Sequence, residues 1–235
     1  MRSLIAIFVL RSVALAAAPD GGQVPDARAA ERLQMVERYI AGGGIRDPAT
    51  LQAMRMVPRH EFVSPELTSA AYDNRALPIG LGQSISQPYI VAYQTEVVRP
   101  REGMKILEVG TGSGYQAAVL AAAGARVFTV EIFAELAASA RQRLQRLGYR
   151  ASVRHADGNL GWPEEAPFDA INVAAAIGDE PPENLETQLA DGGRMVAPVG
   201  SREQHLMLAE RAGNRIRRRQ LEAVQFVPLV RGAQP

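Results

Sequence analysis

Ile106-Leu-Glu-Val-Gly-Thr-Gly-Ser-Gly114 decides how this 235-residue chain is to be read. An apolar, β-favouring run stops abruptly at three alternating glycines, and helix-forming residues fill 115–123 directly after them. The stretch therefore reads as a strand, a tight turn and a helix start. Alternating glycines let the backbone turn where a Cβ would clash, and let a ligand lie against the main chain. The free amides of the following helix then face that ligand. This arrangement predicts a nucleotide-like cofactor.

Two details narrow it. The glycines stand at 110, 112 and 114, so the spacing is G-x-G-x-G and the last glycine of a dinucleotide G-x-G-x-x-G fingerprint is missing. Glu108 also sits inside the apolar strand, where a lone carboxylate is costly unless a ligand pairs with it or it turns to solvent. A cationic, phosphate-free ligand such as S-adenosylmethionine suits such a turn better than a pyrophosphate. A second strand over 126–131 ends in Glu131, 17 positions past Gly114. An acid about 20 residues beyond the glycine turn accepts from ribose hydroxyls in nucleotide-binding units. A third strand runs into Asp157-Gly158, read either as a contact near the adenine or as a surface turn.

Working outward, strands are expected at 105–109, 126–131, 151–155, 168–173 and 193–198, with helices at 115–123, 133–147 and 182–190 between most of them. Such alternation implies an α/β fold with a doubly wound, mostly parallel sheet. Before it, helical spacing over 27–40 stops at Gly42-Gly43-Gly44, and Asp47-Pro48 opens a short helix that closes at Val57-Pro58. After it, two or three more strands follow, the last at 224–230, at least one of them antiparallel. The chain divides into residues 1–26 and a single domain over 27–235: N-terminal helices and a loop (27–104), a cofactor-binding core (105–199) and C-terminal strands (200–235).

Composition excludes several classes. With 47% hydrophobic and 22% charged residues the chain can bury an ordinary core. A formal net charge of +1 gives no general attraction to nucleic acid or anionic membranes. The absence of cysteine removes disulfides, thiolate catalysis and cysteine-based zinc sites, and three scattered histidines argue against a metal site. Residues 1–18 resemble a secretory signal: Arg2, seven apolar residues from Leu4, then alanines with A-x-A-like sites before Pro19. Arg11 interrupts that apolar run, so export and a merely irregular start both stay open.

What the cofactor is used for has to be sought upstream, in the irregular stretch 71–92. It holds Gly80 and Gly82, hydroxyls at Ser84 and Ser86, and Pro88, which starts a helix running to about Val98. Long loops in compact domains are usually functional. Ser86 beside the helix start reads plainly as a cap, and functionally as a grip on an anionic group.

These stretches resemble the protein-L-isoaspartate O-methyltransferase family. The matching segments are Val57-Pro-Arg-His-Glu-Phe-Val63, Ala76-Leu-Pro-Ile-Gly80, Gly82-Gln-Ser-Ile-Ser-Gln-Pro-Tyr89, Leu107-Glu-Val-Gly-Thr-Gly-Ser-Gly-Tyr-Gln116, Ala166-Pro-Phe-Asp-Ala170, Gly192-Gly-Arg194, Ala197-Pro-Val-Gly200 and Phe226-Val-Pro-Leu229. The glycine turn is common to many methyltransferases, whereas 82–89 is particular to this family. The resemblance implies a Rossmann-like class I methyltransferase fold with an N-terminal helical layer and a C-terminal antiparallel addition. It implies Ser86 in the catalytic position and Ser84, Ile85, Pro78 and Ile79 at the substrate. It implies S-adenosylmethionine contacts from Glu108, Gly110, Thr111, Gly112, Gly114, Glu131, Asp157 and Gly158, with no metal. This chain has Ala156 where the family usually has glycine, and lacks the family's proline in 173–179.

The implied activity is methyl transfer to the free α-carboxylate of isoaspartyl residues in damaged proteins, beginning their repair through a succinimide. Such a carboxylate, with a pKa of about 3.5, is already ionised at neutral pH, so alignment matters more than a general base. The implied partners are isoaspartyl proteins and peptides, with neither nucleic acid nor stable membrane association, and a monomer. The location is cytoplasmic, where the donor is made, or periplasmic if 1–18 act as a signal. Two alternatives remain: a methyltransferase of the same fold acting on RNA or a small molecule, with Arg215-Ile-Arg-Arg-Arg219 as a phosphate patch or simply a strand edge, and a non-catalytic S-adenosylmethionine-binding protein.

Overall fold

The computed structural model describes residues 28–179 and 182–232, so the expectations for 1–26 lie outside the described residues. Seven strands form the central sheet: β3 (Lys105–Val109), β4 (Arg126–Glu131), β5 (Ala151–His155), β6 (Phe168–Val173), β7 (Leu189–Val199), β8 (Gln204–Ala212) and β9 (Arg215–Val224). Their order is β5-β4-β3-β6-β7-β8-β9. The first five are parallel, and β8 and β9 join antiparallel. β3 lies at the middle of the parallel part because Ile106, Leu107 and Val109 are apolar on both faces, which suits a strand covered from both sides.

Helices cover the two faces. One core lies between the sheet and α3 (Pro88–Val98) and α4 (Tyr115–Ala122), and takes in Ile106, Val127, Ala170 and Val196. The same core buries Met35, Val36 and Ile40 from the N-terminal layer, formed by α1 (Ala29–Met35), the wider π-helical turns Val36–Ala41, and α2 (Pro48–Met56). Asp47 caps α2 by accepting from the Thr50 amide at 2.9 Å, and Pro48 occupies the first turn. The opposite core holds Leu107, Val109, Val130, Ile171 and Val173. The mostly parallel sheet and the antiparallel addition agree with the fold class expected from sequence.

Four expectations need correction. The helix placed at 182–190 is a single turn, α6 (Glu183–Glu186). The Gln188 side chain instead bonds Trp162 N, Leu160 O and Asn184 O, and its carbonyl accepts from Phe168 to begin the next strand. That strand, β7, starts at Leu189 rather than 193, absorbing Gly192-Gly193 as an irregularity with Gly192 at φ +77°. The last strand ends at Val224, and 225–230 run on without a strand, touching the sheet through a bridge from Pro228 to Ala176. The stretch 71–92 is only partly irregular: Leu77–Gly80 (β1) and Gln83–Ile85 (β2) pair as an antiparallel hairpin. Arg215–Arg219 lie on β9, the outer edge of the sheet, where charged side chains deter edge-to-edge pairing.

Candidate functional site

The glycine turn follows β3 at the carboxyl end of the parallel strands, where doubly wound folds hold ligands. Gly110, Gly112 and Gly114 all have positive φ, at +91°, +51° and +88°. The Gly110 amide donates to Val130 O at 2.9 Å, fastening the turn to β4. Gly114 has a packing role, since a Cβ there would meet Leu144 and Ala140 of α5 (Ala134–Arg146) at 3.3 and 3.5 Å. A Cβ on Gly112 would meet Ile79 of the hairpin at 3.2 Å, which shows how closely the turn and the hairpin approach.

Glu131 ends β4 and is 5% exposed. One carboxylate oxygen accepts from the Gly112 amide at 2.7 Å, and the other from the amides of Ile132 at 2.9 Å and Phe133 at 3.1 Å. This acid thus fixes the glycine turn and the start of α5 while lining the cavity between them.

Glu108 is fully buried in β3. Its Oε2 accepts from Thr129 Oγ1 at 2.6 Å, and Thr129 shares a second 2.6 Å hydrogen bond with the Thr111 hydroxyl. Its Oε1 is buried with no partner among the described residues. Burial pushes the carboxyl up to about 8, against the opposing effect of the Thr129 hydrogen bond and with a small push from Glu131.

Asp157 stands outside the cavity lining. It accepts from Asn159 N and Nδ2, each at 2.8 Å, and from the Gly232 amide at 2.9 Å. Burial works against its charge, but these hydrogen bonds outweigh it and hold the carboxyl below its ordinary value. Gly158 does line the cavity, and a Cβ there would strike Val109 Cγ1 at 2.6 Å. The tail 227–230 closes the same side, tied down by Ala176 N to Val227 O (2.8 Å), Leu229 N to Ala176 O (2.7 Å) and Asn159 Nδ2 to Val230 O (3.1 Å).

The cavity encloses about 720 Å³ of open space, counting its mouth. Among the described residues its lining contains the carboxyls of Glu108 and Glu131 and no lysine, arginine or histidine. Such a wall favours a ligand bearing an ammonium or sulfonium and repels a pyrophosphate. Among the described residues no group of three or more His, Asp or Glu side chains could hold a metal, and no helix is long and apolar enough to cross a membrane.

The hairpin brings Ser84 and Ser86 to the mouth. Both border the cavity and also a second groove formed by Ala76, Gln87, Ile90 and residues 223–227. Ser84 is exposed, Ser86 half-buried. Ser86 does not cap α3: the helix starts at Pro88 without a serine bond, and Asn74 Oδ1 accepts from the Tyr89 amide at 3.1 Å instead. The Ser86 hydroxyl is thereby left for other work. Of the expected substrate contacts, Ile85 is 4% exposed in the core beside the cavity. Ile79 packs on Gly112, and Pro78 pairs with Ser84 across the hairpin; neither lines the cavity or the groove. Sequence reasoning did not pick out Thr129, Asn74 or the tail as parts of this site. For Thr129 a signal existed: a hydroxyl one strand over from Glu108, at the register that pairs them.

Residues 30–234 match the model of the family described as protein-L-isoaspartate(D-aspartate) O-methyltransferase. A protein-L-isoaspartate O-methyltransferase of Vibrio vulnificus is 51% identical over 204 residues, 86% of this chain and 96% of that protein. One from Methylorubrum extorquens is 51% identical over 211 residues, 89% and 92% of the two chains. A solved protein-L-isoaspartate O-methyltransferase superposes with a TM-score of 0.75 at 28% identity, covering 87% of this chain and 66% of that one. A Plasmodium falciparum structure in complex with S-adenosyl-L-homocysteine has the same fold, with a TM-score of 0.74 at 24% identity, covering 85% and 98%.

Proposed function

This chain belongs to the protein-L-isoaspartate(D-aspartate) O-methyltransferase family, and from that membership we propose how its residues divide the work of the transfer. The activity is S-adenosyl-L-methionine-dependent methylation of isoaspartyl residues in damaged proteins, the step that begins their repair. The described residues fit the cofactor: a glycine cradle, a buried carboxyl with one oxygen unpartnered among them, and no basic group among those lining the cavity. When bound, S-adenosyl-L-methionine supplies a methyl group already activated on a sulfonium.

Glu108 is assigned to the cofactor's ammonium and Glu131 to its ribose hydroxyls. Gly110, Thr111, Gly112 and Gly158 form the main-chain surface against which it lies. Gly114 and Asp157 support that surface from outside, through α5 and through the tail. Ser84 and Ser86 orient the substrate carboxylate. Because that carboxylate is ionised at neutral pH, no side chain needs to remove a proton. What the protein contributes is alignment and exclusion of water from the attacking oxygen, worth several kcal/mol.

The observation that carries this assignment is the position of Ser84 and Ser86, which border both the cavity and the open groove. A damaged chain lying in the groove presents its carboxylate there. Arg218 is engaged by Glu186 at 2.8 Å, which supports reading the Arg215–Arg219 run as a strand edge rather than a nucleic-acid contact. The enzyme acts as a monomer in the cytoplasm, where its donor is made. Labelled S-adenosyl-L-methionine supplied with matched isoaspartyl and aspartyl peptides is expected to leave base-labile label on the isoaspartyl peptide alone. Label on neither, or on both equally, overturns the substrate assignment.

A further inference from the structure

The most unusual buried group outside the assigned site is Asn172 on β6. It is fully buried, and neither its Nδ2 nor its Oδ1 has a hydrogen-bond partner among the described residues. A buried amide left so is destabilising in the folded chain taken alone, where an aliphatic residue of the same volume would serve better.

Its position is informative. Thr129, Glu108 and Asn172 stand in one row across β4, β3 and β6, as register partners of parallel strands. Register partners point to the same face, and here the Thr129 to Glu108 hydrogen bond fixes which face that is. Thr129 flanks Glu108 on one side and occupies Oε2. Asn172 flanks it on the other side, and Oε1 is the oxygen without a partner. Neighbouring strands lie about 4.8 Å apart, within the combined reach of the two side chains. The other buried amides on the helices over this face are taken: Gln94 donates to Val173 O at 2.8 Å and Gln116 to Thr95 Oγ1 at 2.8 Å.

We propose that Asn172 is a positioning residue for the cofactor acid: its amide donates to Glu108 Oε1 when the carboxylate is charged, and so holds that charge aimed at the cofactor's ammonium. The inference rests on the assignment of Glu108 made above. It gives the row a division of labour, with a hydroxyl on one side and an amide on the other bracketing one carboxylate. Among the described residues, the other titratable groups lining the cavity are Glu131 on β4 and Tyr115 on α4, and no cation from either helix, the hairpin or the tail faces Glu108. In the chain alone only Thr129 opposes the cost of burial; an Asn172 amide donating to the charged form adds a second opposing hydrogen bond, so the carboxyl ionises at lower pH with it than without it.

Calorimetric titration with S-adenosylhomocysteine from about pH 6 to 10 tests this, since that ligand carries the amino group and its own titration is common to every variant. Asn172→Leu keeps the volume and removes the amide. It is expected to melt at or above the parent's Tm, to bind about tenfold more weakly at pH 7, and to converge with the parent near pH 10. An unchanged affinity curve overturns the proposal. So does a loss equal at every pH with a lowered Tm, which is what a purely structural role predicts. If Asn172→Leu fails to fold, Asn172→Ala is held to the same pH criterion. Glu108→Gln separates the two levels: weakened binding by that variant, with no pH dependence beyond the ligand's own titration, beside an unaffected Asn172→Leu removes only the role of Asn172, whereas parent-like binding by Glu108→Gln removes the assignment of Glu108 and this inference with it.

Discussion

At the glycine-turn end of the cavity Glu131 is locked to three backbone amides, while at the hairpin end Ser84 is exposed and Ser86 half-buried at the mouth. One end is buried and held by the parallel strands, and the other is half-open on a two-stranded hairpin. Under the assignment proposed above, the difference follows from what each end binds: a constant cofactor at one and a variable substrate at the other. The cofactor is the same molecule in every turnover, so a rigid cradle costs nothing in versatility. The substrate is a damaged backbone within varied surroundings, so its contacts are few, local and open to the groove.

Three experiments would break or sharpen this contrast. Glu131→Ala removes a carboxylate that serves the turn and the start of α5, and that is assigned to the ribose in the function proposed above. It is expected to destabilise the protein by about 4 kcal/mol and to weaken S-adenosylhomocysteine binding about 100-fold. Denaturant unfolding and calorimetry would read both, and a loss of affinity without loss of stability would show that the acid does not hold the cradle.

A smaller effect is expected from Glu108. Its carboxyl is raised from an ordinary 4.5 to about 8, so the folded chain keeps a proton that the unfolded chain has released. Below the lower value the group contributes no difference. Stability is then lost as pH rises between the two values, and levels off above the upper one. Glu108→Gln should flatten that slope in pH-dependent unfolding, and an unaltered slope would mean that the carboxyl does not titrate in this window.

The smallest change is expected at the open end. Ser86→Ala should lower kcat on an isoaspartyl peptide about tenfold, or ~1.4 kcal/mol, with S-adenosylhomocysteine affinity within twofold of the parent. Unchanged turnover would remove Ser86 from the reaction, and a parallel loss of cofactor affinity would erase the division between the two ends.

The same contrast separates what could be read along the chain from what could not. The strands at 105–109, 126–131, 151–155 and 168–173 fall where their apolar runs begin and end. Those boundaries are local, set by glycines and turn residues beside them. The hairpin was hidden because its turn uses Leu81 at φ +52°, an uncommon conformation for leucine, between two glycines that suggested an irregular loop. The cap of α3 was misplaced because its acceptor, Asn74, sits 15 residues from the amide it serves. Gly192-Gly193 suggested a strand boundary, whereas the sheet takes them up as an irregularity within β7.

The sequence by itself determined the glycine turn, the acids on either side of it, the α/β alternation and the serine-bearing segment, because backbone sterics and hydrophobic patterning act between near neighbours. Only the tertiary structure decided that Ser84 and Ser86 stand at the mouth of the cavity beside the glycine turn, that the tail 227–230 closes its far side, and that Thr129, Glu108 and Asn172 form one row. Those relations depend on strand register and on packing between residues far apart in the chain, and no local preference encodes them.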